Sequence, residues 1–456
     1  MIRQGERVVD ELGTVYELEK ELGCGGQGAV FAVKGGRRAV KILLDRSPTC
    51  RDRLKLQLRT VRMLFDIREL AIATPLEMLQ PPFLGYVMEL LTGMVPISKL
   101  INVPRNTDCI VEWYLNGGGL RRRLLLLARC AETLSQLHGR GLVYTDPSPN
   151  NIFVSSDADA NEIRLIDADN LHYERSSSIN CYTPGFGAPE LVTRRSGADT
   201  LTDAYAFAVI AFQTLALVHP LMGDKVDQGE PELETLALQG ELPWIDHPED
   251  TCNSTSRGFP REIVLSPRLR ELCHKCFGAG LREPIQRPGI AQWTEKLYSA
   301  ADFTIYCPNC NSTYYANQEC CSWCNHARPT YVQIRIQRWE PLHNFSRKQP
   351  LHLLTLESSE PLILTSRIVN GRTGINSHIH NIELVFANES IAVRSLNGQC
   401  FWLTSEGTQR VEREVRDRWV RFPAEPGNYG SWLLHFGNFD YPHRLATFNL
   451  IRGENP

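Results

Sequence analysis

Leu137-His138-Gly139-Arg140-Gly141-Leu142-Val143-Tyr144-Thr145-Asp146-Pro147-Ser148-Pro149-Asn150-Asn151-Ile152-Phe153-Val154 is the stretch on which the reading of this chain turns. It follows Leu120–Leu137, a run of leucines and arginines whose spacing predicts a long helix. It closes in apolar residues of strand type. In the polar turn between them an acid, Asp146, precedes an amide, Asn151, by five residues. Aspartate and asparagine cap turns in many proteins, so the pair acquires meaning only through the other polar groups placed in order around it.

Downstream, Ile163-Arg164-Leu165-Ile166-Asp167-Ala168-Asp169 reads as a short strand ending in an acid. Upstream, Leu22-Gly23-Cys24-Gly25-Gly26-Gln27-Gly28-Ala29-Val30-Phe31 sets Gly23, Gly25 and Gly28 in a hairpin before the β-branched Val30. Backbone free of Cβ atoms can close over a triphosphate there. Arg38-Ala39-Val40-Lys41-Ile42-Leu43 then carries one lysine in an otherwise apolar strand. An exposed lysine on an edge strand is the plain alternative, and the glycine hairpin just before it favours a phosphate partner. Gly85-Tyr86-Val87-Met88-Glu89-Leu90-Leu91 is positioned as a strand running into a hinge, and Tyr182-Thr183-Pro184-Gly185-Phe186-Gly187-Ala188-Pro189-Glu190 follows the second acid.

Taken in order over residues 12–300, these landmarks resemble the eukaryotic-like (Hanks-type) Ser/Thr protein kinases. The resemblance implies an α+β, bilobal kinase domain over 1–300, with an N-lobe of about 1–89 and a C-lobe of about 92–300. It implies that Gly23, Gly25, Gly28, Val30 and Lys41 bind ATP, with adenine at the hinge of Glu89 and Leu91. Asp146 is then the residue that accepts the substrate hydroxyl proton, and Asn151 and Asp167 hold Mg2+ or Mn2+. Thr183 stands where Ser/Thr-directed members carry threonine. Glu190 is expected to pair with Arg287, and Asp203 to brace the catalytic loop.

Four departures stand out. Tyr144-Thr145 replaces the usual histidine and arginine, so no arginine is ready to clamp a phosphate on the activation segment, and activation by loop phosphorylation is not expected. Ser148 replaces a lysine, and Ala168-Asp169 replaces phenylalanine and glycine. The helix expected at 51–70, with Leu54, Leu58, Val61, Leu64 and Phe65 on one face, has no glutamate between Arg53 and Phe65 to partner Lys41; Gln57, Asp52, Asp66 and Glu69 remain open. These changes, with Leu242-Pro243-Trp244-Ile245-Asp246, resemble an atypical bacterial subgroup, some of whose members sit in tellurite-resistance-type phosphorylation triads. That resemblance implies a metal-dependent protein phosphatase and a von Willebrand-type domain protein as partners, besides protein substrates.

Cys307-Pro308-Asn309-Cys310 and Cys321-Ser322-Trp323-Cys324 form two Cys-x-x-Cys knuckles with the spacing of a zinc ribbon, expected at 301–330. Four thiolates close a tetrahedral shell around zinc, leaving no open position for catalysis. Cys320 and, more weakly, His326 are substitutes for one ligand, whereas Cys273 and Cys276 read as core thiols. Residues 331–456 alternate as strands, with Trp339, Trp402, Trp419 and Trp432 available for a β-sandwich-like core, Asn397-Gly398 as a hairpin turn, and 223–262 read as loop. The strand-rich region distantly resembles forkhead-associated phosphopeptide modules, although the sequence does not locate the arginine, serine and asparagine such loops carry.

Composition narrows the alternatives. With 42% hydrophobic and 22% charged residues and a net charge of -3, the chain lacks the basic excess of a nucleic-acid binder. No apolar stretch reaches the roughly 20 residues that span a bilayer. Its first residues lack a secretory pattern, which points to the cytoplasm. Two rivals to a protein kinase remain: a pseudokinase scaffold, favoured by Tyr144, Ser148 and the missing helix glutamate, and a small-molecule phosphotransferase of the same fold.

Overall fold

The computed structural model describes residues 4–25, 28–63, 70–174, 181–341, 344–345, 350–409 and 411–453. By its internal contacts the chain forms two compact units, one of residues 1–110, 126–260 and 268–294, the other of 111–125, 261–267 and 295–456.

The first unit opens with a six-stranded antiparallel sheet. Its strands are β1 (Arg7–Val9), β2 (Val15–Cys24), β3 (Gly28–Val33), β4 (Arg38–Leu43), β5 (Glu77–Met78) and β6 (Gly85–Glu89), ordered β1-β2-β3-β4-β6-β5. Side chains alternate faces along a strand, so Val40 and Ile42 of β4 enter a core with Leu18, Phe31 and Val87. Leu43 points to the other face, where Tyr86 and the helix α1 (Pro48–Met63) supply Leu54 and Leu58. By the same alternation Lys41 shares the α1 side. Leu64, Phe65, Asp66 and Glu69 lie outside the described residues.

The larger part of this unit is helical. Nearly all of helix α2 (Ile110–Asn116) and the start of α3 (Gly119–His138) count with the second unit, and α3 from Leu126 on counts with the first, which also holds three short pairings built from β7 (Met94–Pro96), β8 (Leu142–Val143), β9 (Ile152–Ser155), β10 (Ile163–Leu165) and β11 (His172–Tyr173). Beyond α4 (Pro189–Val192) comes α5 (Thr200–Ala216), which is buried almost all round, as a helix at the centre of a core must be. Asp199 caps its first turn, accepting from the Leu201 and Thr202 N–H groups. The span 223–262 is less loop-like than its prolines suggest, since short helices form at Asp224–Asp227 and Glu232–Leu238.

In the second unit, a hairpin of Thr304–Tyr306 and Thr313–Tyr315 carries the cysteine knuckles. Arg121 joins it: its N–H donates to Thr313 Oγ1 at 2.9 Å, its Nε to Thr304 Oγ1 at 2.7 Å and its Nη2 to Glu357 at 2.8 Å. Eleven strands follow among the described residues, in a seven-stranded and a four-stranded antiparallel sheet. Both contribute to one core, Val332, Ile334 and Ile336 from the first, Ile382, Leu384 and Val393 from the second.

Two expectations for this region are corrected. Asn397-Gly398 is no hairpin, because Ser390–Ser395 pairs within the four-stranded sheet and Phe401–Ser405 within the other, so the turn crosses between sheets. The tight hairpin is at Asn388-Glu389, both at positive φ, linking His380–Ala387 to Ser390–Ser395. Of the four tryptophans only Trp432 enters the core; Trp419 is exposed, with the Arg394 guanidinium 4.7 Å from its ring.

Candidate active site

Lys41 is the buried cation of β4, and the structure gives it a carboxylate. Its Nζ lies 3.0 Å from Asp167 Oδ1, with the ammonium also 5.8 Å from the Tyr86 ring centroid. Burying an unpaired ammonium is costly, so a side chain only 5% exposed demands such a partner. Of the partners considered from sequence, Asp52 is exposed and Gln57 half-buried, while Asp66 and Glu69 fall outside the described residues. Asp167 itself sits just past β10 in the left-handed region, φ 58° and ψ 42°, a conformation aspartate tolerates better than most residues.

Asp146 occupies the polar turn between β8 and β9. Its Oδ1 accepts from both the N–H and the Oγ1 of Thr183, each at 2.8 Å. Asn151 Nδ2 donates to the Asp146 carbonyl at 3.0 Å, and the Ile166 N–H donates to the Asn151 carbonyl at 3.0 Å. Thus Asp146, Asn151 and the approach to Asp167 form one hydrogen-bonded assembly. Burial pushes the Asp146 carboxyl above its ordinary range; the Thr183 hydrogen bonds oppose this, and repulsion from Asp167 and Asp203 adds to it.

The loop is held from below by α5. Asp203, fully buried, accepts from the Tyr144 N–H at 2.7 Å and the Thr145 N–H at 2.9 Å, and meets His138 Nε2 at 3.0 Å. Glu190 and Arg287 form a bidentate pair at 2.5 and 2.7 Å, as the sequence led us to expect. The side chains that sequence reading discounted are Tyr144 and Thr145: both are buried and both donate to backbone carbonyls of the 166–170 turn, Tyr144 to Ile166 and Thr145 to Asn170. A tyrosine beside a threonine where a charged pair was expected was the available signal.

The glycine hairpin needs a distinction. A Cβ on Gly28 would stand 2.3 Å from the Ile42 carbonyl oxygen, so packing of β3 on β4 already requires glycine there. A Cβ on Gly23 or Gly25 would meet nothing within 4 Å among the described residues. Val30 stands opposite Lys41 in the ladder, and β6 ends at Glu89, exposed, with Leu91 half-buried beyond it. Residues 26 and 27 lie outside the described residues.

In the second unit the thiols of Cys307, Cys310, Cys321 and Cys324 all lie within 4.8 Å of one another. The two knuckles repeat one turn: the Asn311 N–H donates to the Cys307 carbonyl at 2.9 Å and the Asn325 N–H to that of Cys321 at 2.8 Å, with both asparagines at positive φ. Cys320 is exposed and not part of the cluster, whereas Cys273 and Cys276 are buried in their helix. A closed set of four soft donors fits Zn2+. At one end of the sheets Asn397 Nδ2 donates to Asn381 Oδ1 and Asn381 Nδ2 to Ser366 Oγ. The adjacent Arg367 forms a bidentate pair with Asp302 at 2.8 and 2.9 Å and lies over the Tyr298 ring. The serine and the asparagines thus form one hydrogen-bonded cluster, while the guanidinium of the next residue is engaged by an internal carboxylate.

Comparison with known proteins identifies the family of residues 16–299. The protein kinase domain profile matches residues 16–299. The serine/threonine-protein kinase Pkn1 of Myxococcus xanthus is 30% identical over 218 residues, covering 44% of this chain and 28% of that protein. Ribosomal protein S6 kinase alpha-3 of Mus musculus is 25% identical over 299 residues, 63% of this chain and 35% of that protein. The DNA damage-responsive serine/threonine-protein kinase RqkA of Deinococcus radiodurans is 27% identical over 224 residues, 46% and 31% respectively. The matches span about a third of these relatives' own length. On the match over residues 16–299, the chain belongs to the protein kinase family.

Proposed function

We propose that this chain is an ATP-dependent serine/threonine protein kinase that transfers the γ-phosphate to protein hydroxyls. The observation that carries the reading is the convergence of Asp146 and Asn151 from one turn, Lys41 from β4 and Asp167 from the end of β10 on one hydrogen-bonded site. Asp146 orients the acceptor hydroxyl and takes its proton. Lys41 and the backbone at Gly23 and Gly25 hold the phosphates, and the backbone from Glu89 to Leu91 receives the base. Asn151 and Asp167 offer oxygen donors suited to a hard divalent cation, Mg2+ or Mn2+. When bound, that cation neutralises charge on the phosphates. Thr183, hydrogen-bonded to Asp146, lies where an acceptor serine or threonine would approach. A pseudokinase scaffold has no use for this constellation.

Within the same reading the cysteine cluster holds a structural Zn2+ that folds residues 301–330, and the two sheets form a β-sandwich-like module with a regulatory or docking role. A metal-dependent phosphatase and a von Willebrand-type domain protein are the partners that the subgroup resemblance suggests, in a bacterial signalling or stress-response setting. Among the described residues no helix is long and apolar enough to cross a membrane. The test is transfer from γ-labelled ATP to a peptide mixture of equal serine, threonine and tyrosine content, followed by phosphoamino-acid analysis. Label on serine and threonine supports the assignment; label on tyrosine alone, or release of free phosphate alone, refutes it.

A further inference from the structure

Thr145 has φ 84°, a conformation that a β-branched residue holds only when its surroundings impose it. Three contacts do so. Its N–H donates to Asp203 Oδ1 at 2.9 Å, its hydroxyl donates to the Asn170 carbonyl at 2.9 Å, and His172 Nδ1 lies 2.9 Å from the same hydroxyl oxygen. Because the Thr145 hydroxyl proton goes to Asn170, the oxygen accepts from His172, which assigns the proton to Nδ1. His172 Nε2 is buried without a hydrogen-bond partner among the described residues.

The neighbouring Tyr144 makes a second tie of the same kind. Its hydroxyl donates to the Ile166 carbonyl and lies 3.4 Å from that of Asn151. Ile166 and Asn170 flank Asp167, while Tyr144 and Thr145 immediately precede Asp146. Two adjacent side chains of one loop thus grip the backbone on both sides of the residue that the other loop contributes. All four donors and acceptors in these ties are neutral, and all lie on described, buried or half-buried residues.

Resting on the kinase reading above, we propose that Tyr144 and Thr145, with His172 behind Thr145, are positioning residues. They form a two-point bracket that sets Asp146 against Asp167. Transfer then depends on the two hydroxyls.

The experiment uses the full chain and measures initial rates of γ-phosphate transfer to myelin basic protein. Thr145→Val, which keeps the β-branch, is expected to lower kcat about 100-fold, the scale set by small misplacement of a reacting group, with KM for ATP within about twofold. Thr145→Ser is expected to restore kcat to within about threefold of the parent. Tyr144→Phe removes a single oxygen and provides an independent reading should the valine variant fail to fold. Unchanged kcat in folded Thr145→Val and Tyr144→Phe overturns the bracket. A parent protein without transfer activity removes the kinase reading itself, and this inference with it.

Discussion

Two buried ion pairs of the first unit look alike in a contact map and differ in what surrounds them. Arg287 meets Glu190 through both terminal nitrogens, gives its Nε to the Gly280 carbonyl at 2.7 Å and lies over the Tyr205 ring at 5.0 Å. Its side chain is 0% exposed. Lys41 Nζ lies 3.0 Å from Asp167 Oδ1, and the aspartate remains 27% exposed. A fork-shaped guanidinium with its hydrogens satisfied by protein is closed to ligands. An ammonium is a point charge beside a carboxylate that stays partly open to solvent. In the kinase reading proposed above, the first pair maintains the fold and the second belongs to the site.

That comparison breaks most visibly at Arg287. Arg287→Ala leaves Glu190 buried without its partner and is expected to cost about 3–5 kcal/mol, a drop of roughly 10 °C in the thermal midpoint. Calorimetry checks it, and a shift below about 2 °C would mean the pair is not the brace described. Lys41→Met is expected to do the reverse: phosphate transfer is lost while stability moves by only about 1 kcal/mol, because an apolar chain of similar length suits the face shared with Leu43 and Tyr86. A variant that both retains transfer and unfolds early would exchange the roles assigned to the two pairs.

A finer test is pH. Burial raises the Asp146 carboxyl, so protonation removes the reactive carboxylate at a higher pH than for an exposed aspartate. Transfer rates are therefore expected to fall with acidification before ordinary aspartates titrate. Conversely, because the folded state holds that proton more tightly than the unfolded chain, this group's contribution to stability declines as pH rises through its folded value. A rate profile with its acid limb at or below the ordinary aspartate range would contradict the burial argument. The smallest effect is expected at Cys320, which is exposed and outside the thiol cluster: Cys320→Ser leaves bound zinc unchanged, whereas Cys321→Ser lowers it, as read by elemental analysis.

What could be read from the sequence follows physical locality. Helix α3 is a long run of leucines and arginines, α5 is strongly apolar, and the landmarks from Gly23 to Arg287 are short motifs whose order is independent of packing. The two cysteine knuckles are equally local, and the structure brings their four thiols together. Less legible were features decided by distant backbone. Gly28 answers to the Ile42 carbonyl, a neighbour fourteen residues away, as well as to any phosphate. Asn397-Gly398 has the composition of a hairpin turn but links two sheets, and the hairpin at Asn388-Glu389 carries a glutamate at φ 57° that no turn preference would suggest. Trp419 is the size of a core residue yet stacks outside under Arg394, because its strand neighbours already fill the interior. At the site, Tyr144 and Thr145 registered as losses of a charged pair, since their hydrogen bonds to the 166–170 turn exist only once the two loops are folded together.

The central claim is that Asp146 and its assembly perform phosphoryl transfer. Its most direct test is the intact mass of the full chain after incubation with MgATP, beside Asp146→Asn, which keeps the shape and removes the charge. The account predicts mass increments of about 80 Da per phosphate in the parent and none in the variant. Equal increments in both proteins, or none in the parent while candidate protein substrates also stay unmodified, would contradict it.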